Sequence, residues 1–277
     1  MKAVITCAGL GSRLLPFTKE LPKEMAPVFY RADDGIQTKP LIQLIFENLF
    51  DVGIREFCFI TGKTKRSIEN HFTPDSSSNS RIMKSFDEKL IESKIFWTTQ
   101  NSPKGFGDAL RYADSFIGCE NFILQAGDVS LVPNKLNFLK KILEKTENSE
   151  IDAVISVKPV DEPKRHGIVT LADENNNNSI VTSAVEKPDV PQTNLGIIPI
   201  YGFSNRIFKS LEVTKPGKNN EVQVTDAIQK LIEDKHVVEA IRVDNEKFLD
   251  VGTPDAYWQA LKDSHLFAEK AQWILEL

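Results

Sequence analysis

The chain has 277 residues, of which 41% are hydrophobic and 26% are charged, as in ordinary globular proteins. Its 34 lysine and arginine residues stand against 39 aspartate and glutamate residues, and this mildly acidic balance without a basic stripe argues against binding of nucleic acid or anionic membranes. Three scattered cysteines, no signal-peptide core and no apolar stretch near the ~20 residues that a bilayer needs predict a cytoplasmic protein without disulfides or membrane spans.

Strands and helices alternate along the first half of the chain. Apolar runs predict strands over residues 2–7, 56–61, 95–99 and 121–125, and apolar residues at helical spacing predict helices over residues 41–49, 65–72, 86–91 and 107–116. Residues 73–80 are rich in serine and asparagine and predict a flexible loop. Because this alternation is typical of β-α-β units, we expect a Rossmann-like α/β fold with a mostly parallel central sheet and helices on both faces.

The pattern is less regular in the second half of the chain. It predicts strands over residues 152–157, 167–171, 180–186 and 197–203, helices over residues 134–146, 222–233 and 255–267, and a polar turn over residues 174–178. No glycine- or serine-rich linker and no internal repeat divides the sequence. We therefore predict a single domain over residues 1–277, with a mixed sheet in its second half.

A glycine-rich loop follows the first predicted strand. Gly9 and Gly11 allow the backbone to approach an anion closely and to turn its N–H groups toward it. Leu14 stands where a dinucleotide-binding motif has its third glycine, and Pro16 and Pro22 interrupt the helix that should follow. These departures argue against a Rossmann dehydrogenase.

Two cations follow the glycine loop. Arg13 lies two residues after Gly11, and Lys23 comes later in the same long loop. Arginine binds phosphate oxygens bidentately and lysine acts as a point charge, so the pair suits a triphosphate whose outer phosphates leave as pyrophosphate. Taken singly, each residue is more typical of an exposed loop cation.

Several longer motifs stand in order along the chain. The segment AGLGSRLLPFTKELPKEM at residues 8–25 is followed by KPLIQ at 39–43, SIENHF at 67–72, EKP at 186–188, EVQVTDAI at 221–228 and DVG at 250–252. Together these motifs closely resemble those of the sugar-1-phosphate nucleotidyltransferases. The resemblance covers nearly the whole chain and implies the glycosyltransferase-A-like nucleotidyltransferase fold, with a nucleotide-binding half over about residues 1–132 and a sugar-binding half over about residues 133–277.

The resemblance implies transfer of a nucleotidyl group to a sugar 1-phosphate. The triplet KEM at residues 23–25 favours the uridylyl branch, in which UTP and glucose 1-phosphate give UDP-glucose and pyrophosphate. A thymidylyl or broad-specificity transferase is the near alternative. A catalytically inactive nucleotide-sugar sensor is a third hypothesis, disfavoured because the expected phosphate and metal residues are all present. The family also implies Mg²⁺ as cofactor and a homodimer or homotetramer.

The resemblance assigns the nucleotide to the first half of the chain. It implies that the nucleotide is held by the backbone of Ala8, Gly9 and Gly11, by the cations Arg13 and Lys23 at the outer phosphates, by Glu24, and at the base by Gln100 and the Gly105 backbone. A side-chain amide and backbone groups together satisfy the donor and the acceptors on the edge of a uracil.

The metal and the sugar phosphate are assigned to residues of both halves. Asp128 follows a predicted strand and Asp250 closes an apolar stretch, and the resemblance makes them the ligands of Mg²⁺, which prefers oxygen. It places Lys187 between the two reacting phosphates. It implies a sugar site formed by Gly167, Glu186, Asn194 and Gly196. No general base is expected, because the attacking sugar phosphate is already anionic.

One segment departs from the family pattern. Residues 29–38 are longer than the short link that usually precedes the KPLIQ motif. The sequence leaves three roles open for this segment, namely a lid, an interface or an inert insertion.

Overall fold

A computed structural model of the chain describes residues 1–74, 81–132, 136–173, 178–243 and 247–275. Its strands are β1 (Lys2–Cys7), β2 (Pro27–Ala32), β3 (Gly35–Pro40), β4 (Glu56–Gly62), β5 (Lys94–Gln100), β6 (Phe122–Ala126), β7 (Val129–Leu131), β8 (Ala153–Pro159), β9 (Gly167–Leu171), β10 (Asn178–Glu186), β11 (Leu195–Phe203), β12 (Val238–Arg242) and β13 (Phe248–Asp250). Its helices are α1 (Leu41–Asp51), α2 (Arg66–His71), α3 (Arg81–Ile91), α4 (Phe106–Arg111), α5 (Asp114–Ile117), α6 (Leu136–Glu147), α7 (Arg206–Val213), α8 (Val224–Glu233) and α9 (Pro254–Leu275). Residues 75–80 of the predicted loop and 174–177 of the predicted turn lie outside the described residues.

A central sheet contains strands from both halves of the chain, in the order β5-β4-β1-β6-β11-β8-β12-β10-β9. The first-half strands β5, β4, β1 and β6 are parallel to one another, as the alternation of strands and helices predicts. In the second half, β11 is antiparallel to β6 and β8, β12 is parallel to β8, and β10 is antiparallel to β12 and β9. The predicted α/β fold with a parallel-to-mixed sheet is therefore confirmed, and its antiparallel part comes from the second half.

The central strands are buried because helices cover both faces of the sheet. Successive residues of β1 point to opposite faces, so Ile5 belongs to the same buried cluster as Phe46 of α1 and Phe57, whereas Val4 belongs to the cluster on the other face with Leu124. A strand covered on both faces needs apolar residues at nearly every position, which explains the continuous run at residues 3–7. Polar residues follow where these parallel strands end, and their loops meet at one edge of the sheet.

A small two-stranded sheet lies beside this edge and joins the two halves of the chain. Its strands β7 and β13 are antiparallel, with Val129 opposite Asp250. The N–H of Val251 donates to the carbonyl of Asp128 at 3.0 Å and so extends the pairing by one step. The sequence pattern does not predict this pairing. It brings residues 128 and 250 side by side although they are far apart in the chain.

The segment that departs from the family pattern forms a hairpin. Its strands β2 and β3 pair in continuous antiparallel register, and α9 packs against β2. The N–H of Phe29 donates to Oγ of Ser264 at 3.2 Å, and the Phe29 ring meets His265 edge-on at 5.0 Å between ring centroids. Residues 29–38 therefore form most of a hairpin that is anchored on the last helix.

Several element boundaries differ from the sequence predictions. The single helix predicted over residues 107–116 is two short helices, α4 and α5, and α3 begins five residues before its predicted start. The hairpin strands, α7 and β12 are not predicted, because elements of only five to eight residues carry little periodic signal. Among the described residues, none of the helices combines the length and apolar character needed to cross a membrane.

Candidate active site

A cleft of about 670 Å³ opens where β1, β5 and β6 end. All residues that the sequence predicts for the nucleotide and the metal line it, namely Ala8, Gly9, Gly11, Arg13, Lys23, Glu24, Gln100, Gly105, Asp128 and Asp250. The same cleft is lined by Gly167, Glu186 and Lys187, which the sequence predicts for the sugar phosphate. We call the first set the nucleotide side and the second set the sugar side of the cleft.

The glycine loop on the nucleotide side is held in a tight turn. Gly11 has a φ of 65°, in the left-handed region that favours glycine, and it precedes a short 3-10 turn over Ser12–Leu14. The hydroxyl of Thr18 donates to the Gly11 carbonyl at 2.7 Å, and a Cβ on Gly11 would lie 3.0 Å from the Thr18 methyl group. The chain's own contacts thus fix the turn, and the exposed Arg13 extends from it beside the cleft.

Two ion pairs hold the next part of the nucleotide side. Glu24 is 1% exposed and accepts from Nζ of Lys65 at 2.6 Å, and Lys65 is itself buried just before α2. Lys23 pairs with Asp128. Burial opposes the charge of Lys23, but the carboxylates of Asp128 and Glu24 outweigh it and raise the pKa of Lys23. Lys23 is therefore a fixed cation that lines the cleft.

Two carboxylates of the nucleotide side face the same point of the cleft. A Cβ added to Gly252 would lie 3.0 Å from Oδ1 of Asp250 and 3.7 Å from Oδ2 of Asp128. Although Asp250 is open to the cleft, desolvation by the surrounding protein and the negative charge of Asp128 raise its pKa. Since ionisation of one carboxylate disfavours that of the other, a cation between them would stabilise both.

The carboxylate oxygens available here suit a hard cation that also binds water and substrate phosphate oxygens. Within the described ranges, no group of three or more histidine, cysteine, aspartate or glutamate side chains gathers to hold a metal ion. Asp128 and Asp250 offer only oxygen, the ligand that Mg²⁺ prefers, and Mg²⁺ is usually bound by one or two carboxylates together with water and substrate phosphates. The residues therefore fit Mg²⁺ in the presence of a phosphate-bearing substrate.

The predicted base-binding residues lie at the end of β5, an edge strand of the sheet. Gln100 is 4% exposed, and its Nε2 donates to the Gly105 carbonyl at 3.3 Å and to Oδ2 of Asp108 at 2.7 Å. Gly105 has a φ of 112°, and a Cβ at this position would collide with the Val222 carbonyl, so the position requires glycine. The Gln100 amide is thus held from two directions beside the cleft.

The sugar side is centred on the carboxylate of Glu186, at the end of β10. It accepts from the hydroxyl of Thr225 at 2.8 Å and from Nζ of Lys187 at 2.9 Å. Thr225 lies in the first turn of α8, where the helix dipole favours a negative charge. Gly167 is opposite Glu186 in the sheet, and a Cβ on it would lie 2.6 Å from the Thr225 hydroxyl, where it would disrupt this contact.

Lys187 has a backbone conformation that is unusual for a residue with a side chain. Its φ is 44°, in the left-handed region. Its N–H donates to the carbonyl of His166 at 3.0 Å, and its own carbonyl accepts from Nζ of Lys218 at 2.7 Å. Backbone strain that is held by surrounding contacts clusters at functional sites. The side chain of Lys187 is 34% exposed and lines the cleft.

The sequence relationships agree with this geometry. A protein-family model with the description nucleotidyl transferase matches residues 2–265 of the chain. The chain belongs to the nucleotidyl transferase family. It is 35% identical over 248 residues to UTP–glucose-1-phosphate uridylyltransferase of Bacillus subtilis strain 168, covering 85% of this chain and 82% of that protein. It is 34% identical over 293 residues to the protein of the same name from Staphylococcus haemolyticus strain JCSC1435, covering 100% and 98%.

Solved structures of similar proteins share the fold of this nucleotidyl transferase. The crystal structure of UDP-glucose pyrophosphorylase complexed with UDP-glucose has a TM-score of 0.84 and 28% identity, covering 97% of this chain and 98% of that one. The UTP-bound UGPase from Acinetobacter baumannii has a TM-score of 0.79 and 28% identity, covering 100% and 99%. These structures confirm the nucleotidyltransferase fold that the sequence motifs imply.

Two residues predicted for the sugar site are absent from the cleft lining of this nucleotidyl transferase, within the part of the chain that the structure describes. The carbonyl of the exposed Asn194 accepts from the N–H of Val160 at 2.9 Å. A Cβ on Gly196 would lie 2.6 Å from a Val160 methyl group. The structure therefore shows both residues joining β11 to the segment after β8, and their part in sugar binding stays a prediction.

Three polar residues that the sequence does not predict for the site support it, namely Asp108, Thr225 and Lys65, which contact Gln100, Glu186 and Glu24. Thr225 lies inside the EVQVTDAI motif, so the resemblance offered a signal for it. No motif marks Lys65 or Asp108. Each meets its partner only when two separate elements pack together, and local periodicity carries no information on such a contact.

Proposed function

We propose that this nucleotidyl transferase moves the uridylyl group of UTP onto glucose 1-phosphate, forming UDP-glucose and releasing pyrophosphate. The relatives from B. subtilis and S. haemolyticus are named for this activity, and one similar structure is a complex with UDP-glucose. The observation that carries the proposal is the convergence of charged groups for two phosphate-bearing substrates in one cleft, with Lys23 and Asp128 on the nucleotide side and Lys187 on the sugar side.

The reaction requires two anionic substrates to be held in line. A phosphate oxygen of glucose 1-phosphate attacks the α-phosphorus of UTP, and the bond from that phosphorus to the bridging oxygen of pyrophosphate breaks. Because the nucleophile is an ionised phosphate, no protein group has to remove a proton from it. The work of the protein is therefore to orient the substrates and to stabilise the charge of the transition state.

Each side of the cleft has a distinct task in this scheme. The N–H groups of the glycine loop, with Arg13 and Lys23, hold the triphosphate, and they stabilise the charge that develops on pyrophosphate as it leaves. Glu186 accepts hydrogen bonds from sugar hydroxyls. Lys187 lies between the sugar phosphate and the α-phosphate and offsets the repulsion between them.

Mg²⁺ is part of the proposal. Asp128 and Asp250 would hold it, and their shared position in the cleft and their oxygen-only donor set support this assignment. When bound, the ion would supply charge neutralisation to the phosphates of UTP. Lys23 pairs with Asp128 and so contributes a further positive charge at the same place.

The test is pyrophosphate release over a matrix of nucleoside triphosphates and sugar 1-phosphates. UTP with glucose 1-phosphate should be the best pair, with dTTP weaker but measurable, since a pocket discriminates one added methyl by only about 1–3 kcal/mol. Galactose 1-phosphate should be rejected more strongly, because a misplaced hydroxyl leaves the Glu186 carboxylate partly unpaired.

The outcomes of this matrix separate the alternatives. A clear preference for dTTP over UTP would assign the chain to thymidylyl transfer, and similar rates with many pairs would assign it to broad specificity. Binding of UDP-glucose without release of pyrophosphate from any pair would support the nucleotide-sugar sensor instead.

We also propose that the protein is cytoplasmic and forms a homodimer or homotetramer. Cys7 and Cys58 are buried as free thiols and Cys119 is a free thiol at the surface, which suits a reducing compartment. The oligomeric state rests on the family resemblance alone. Sedimentation at several protein concentrations measures it directly, and a monomer at all concentrations would reject it.

A further inference from the structure

We propose that Asp108 is a positioning residue that fixes the Gln100 amide with its carbonyl oxygen toward the cleft, and that this selects uracil and thymine over cytosine. The inference rests on the proposed function, since it concerns how the same site recognises the base of its nucleotide. It adds a residue on α4 that makes no contact with the base itself and acts through Gln100.

The orientation of the amide follows from the chemistry of its two neighbours. Nε2 of Gln100 lies 2.7 Å from Oδ2 of Asp108 and 3.3 Å from the carbonyl oxygen of Gly105. A carboxylate and a backbone carbonyl only accept hydrogen bonds, so the group facing both of them must be the NH₂. The exchanged orientation would bring the amide oxygen against two other oxygens. Both N–H bonds are thus used within the protein.

The surroundings of the amide make this orientation costly to change. Gln100 is 4% exposed and the side chain of Asp108 is 14% exposed, so little water is present to replace a lost hydrogen bond. Asp108 lies in the first turn of α4, where a negative charge is favoured, and Arg111 on the same helix lies 3.6 Å from its other oxygen. The left-handed backbone of Gly105 aims the second acceptor at the same NH₂.

The remaining polar atom of Gln100 is a pure acceptor beside the cleft. Among the described residues, no donor contacts Oε1, and Gln100 lines the cleft. Uracil and thymine both present an N3–H donor between two carbonyls, whereas cytosine presents an unprotonated N3 beside an amino group. A fixed acceptor is therefore satisfied by the N3–H of uracil or thymine and is left facing the lone pair of N3 in cytosine.

Removing the carboxylate should release this constraint. In Asp108→Leu, only the longer contact to Gly105 still favours the original orientation, so the amide can turn its NH₂ toward N3 of cytosine. Loss of one hydrogen bond to a charged group changes an equilibrium by about tenfold or more. The variant should therefore lose at least tenfold in the ratio of kcat/KM for UTP to kcat/KM for CTP, whereas the ratio for UTP to dTTP should remain unchanged.

The experiment measures kcat/KM for UTP, dTTP and CTP with glucose 1-phosphate, and the affinity for UTP and CTP by calorimetry. The variants are Asp108→Leu, Asp108→Asn and the matched control Asp114→Leu, which removes an exposed carboxylate from the neighbouring helix α5. Asn keeps one acceptor but can also donate, so its UTP-to-CTP ratio should lie between those of the wild type and Asp108→Leu. The control should match the wild type in both ratios.

The outcomes separate a positioning role from a structural one. The inference is supported if the preference for UTP over CTP falls both in kcat/KM and in calorimetric affinity, while the ratio of kcat/KM for UTP to that for dTTP is unchanged. An equal loss for all three nucleotides in both Asp108 variants would overturn it, because Asp108 would then only support the fold of the loop. If the wild type releases no pyrophosphate from UTP, the proposed function fails, whereas calorimetric discrimination between UTP and CTP still tests Asp108.

Discussion

The two sides of the cleft are built by different means. On the nucleotide side, loops at the ends of parallel strands are joined by buried or half-buried ion pairs between distant residues, Glu24 with Lys65 and Lys23 with Asp128. On the sugar side, Glu186 lies in an antiparallel strand and meets its partners through sheet register and the start of α8. The nucleotide side depends on charge pairing between distant elements, and the sugar side depends on the register of one sheet and on the helix that begins beside it.

This difference has an energetic consequence. Removing one member of a buried ion pair leaves an uncompensated charge, which destabilises a protein strongly. Removing a hydroxyl that donates to a partly exposed carboxylate leaves the carboxylate free to find water or substrate, which is a smaller loss. Substitutions on the nucleotide side should therefore disturb folding or turnover more than equivalent substitutions on the sugar side.

The largest expected effect is the loss of turnover when either aspartate of the cleft, Asp128 or Asp250, is substituted. Asp128→Asn or Asp250→Asn should lower turnover about a hundredfold to a thousandfold, because each removes a charged ligand from the proposed metal site without changing the side-chain shape. The assay is pyrophosphate release as a function of Mg²⁺ concentration, with circular dichroism to check the fold. Rates near those of the wild type with an unchanged Mg²⁺ dependence in both variants would remove the metal assignment.

The second-largest expected effect is a loss of stability when the buried ion pair between Glu24 and Lys65 is broken. Lys65→Met should lower the free energy of unfolding by about 3 kcal/mol, since it leaves the carboxylate of Glu24 buried and unpaired. Burial already raises the pKa of Glu24 in the folded protein. The folded variant therefore binds more protons than the unfolded chain. As a result, the loss in free energy of unfolding should become smaller as the pH falls toward the ordinary pKa of a glutamate.

Urea unfolding of this variant at several pH values provides the measurement. The double variant Glu24→Leu with Lys65→Met is the control, because it removes both charges and should recover most of the stability. A double variant as unstable as Lys65→Met alone would show that packing, and not the unpaired charge, is responsible.

A smaller effect is expected on the sugar side at Lys187. Lys187→Ala should lower kcat about a hundredfold while the affinity for UTP changes little, because the ammonium acts when both phosphates are present and charge develops in the transition state. Calorimetry gives the UTP affinity and steady-state kinetics give kcat. Lys164→Ala, at an exposed lysine, is the control. A collapse of UTP affinity with unchanged kcat would make Lys187 a docking cation only.

The smallest effect is expected at the threonine beside Glu186. Thr225→Val keeps the shape but removes the hydroxyl that orients the carboxylate, so KM for glucose 1-phosphate should rise about fivefold while KM for UTP stays constant. Thr182→Val, on the exposed face of the same strand as Glu186, is the matched control. An equal change in both KM values would mean that the two sides of the cleft are not independent.

Much of the fold and of the site is predictable from the sequence alone. The first strand is predicted with its observed bounds, because a strand covered on both faces leaves a nearly continuous apolar run, here over residues 3–7. Gly11 is identified from the glycine-rich loop and Gly105 from the family motifs, and the structure gives the physical reason, because both have a positive φ that favours glycine. The cations and carboxylates of the cleft are found because they follow strands or glycine turns within a family motif.

Only the tertiary structure decides which of these residues meet and what supports them. The pairing of β7 with β13 joins Asp128 to Asp250, and neither short strand has a length or periodicity that would predict its partner. The neighbouring sequence does not predict the contacts of Lys65 and Asp108, because the energy of a hydrogen bond or an ion pair depends on the distance and burial of two groups. Those quantities exist only after distant segments have packed together, whereas the preference for a strand, a helix or a glycine turn is already present in a few neighbouring residues.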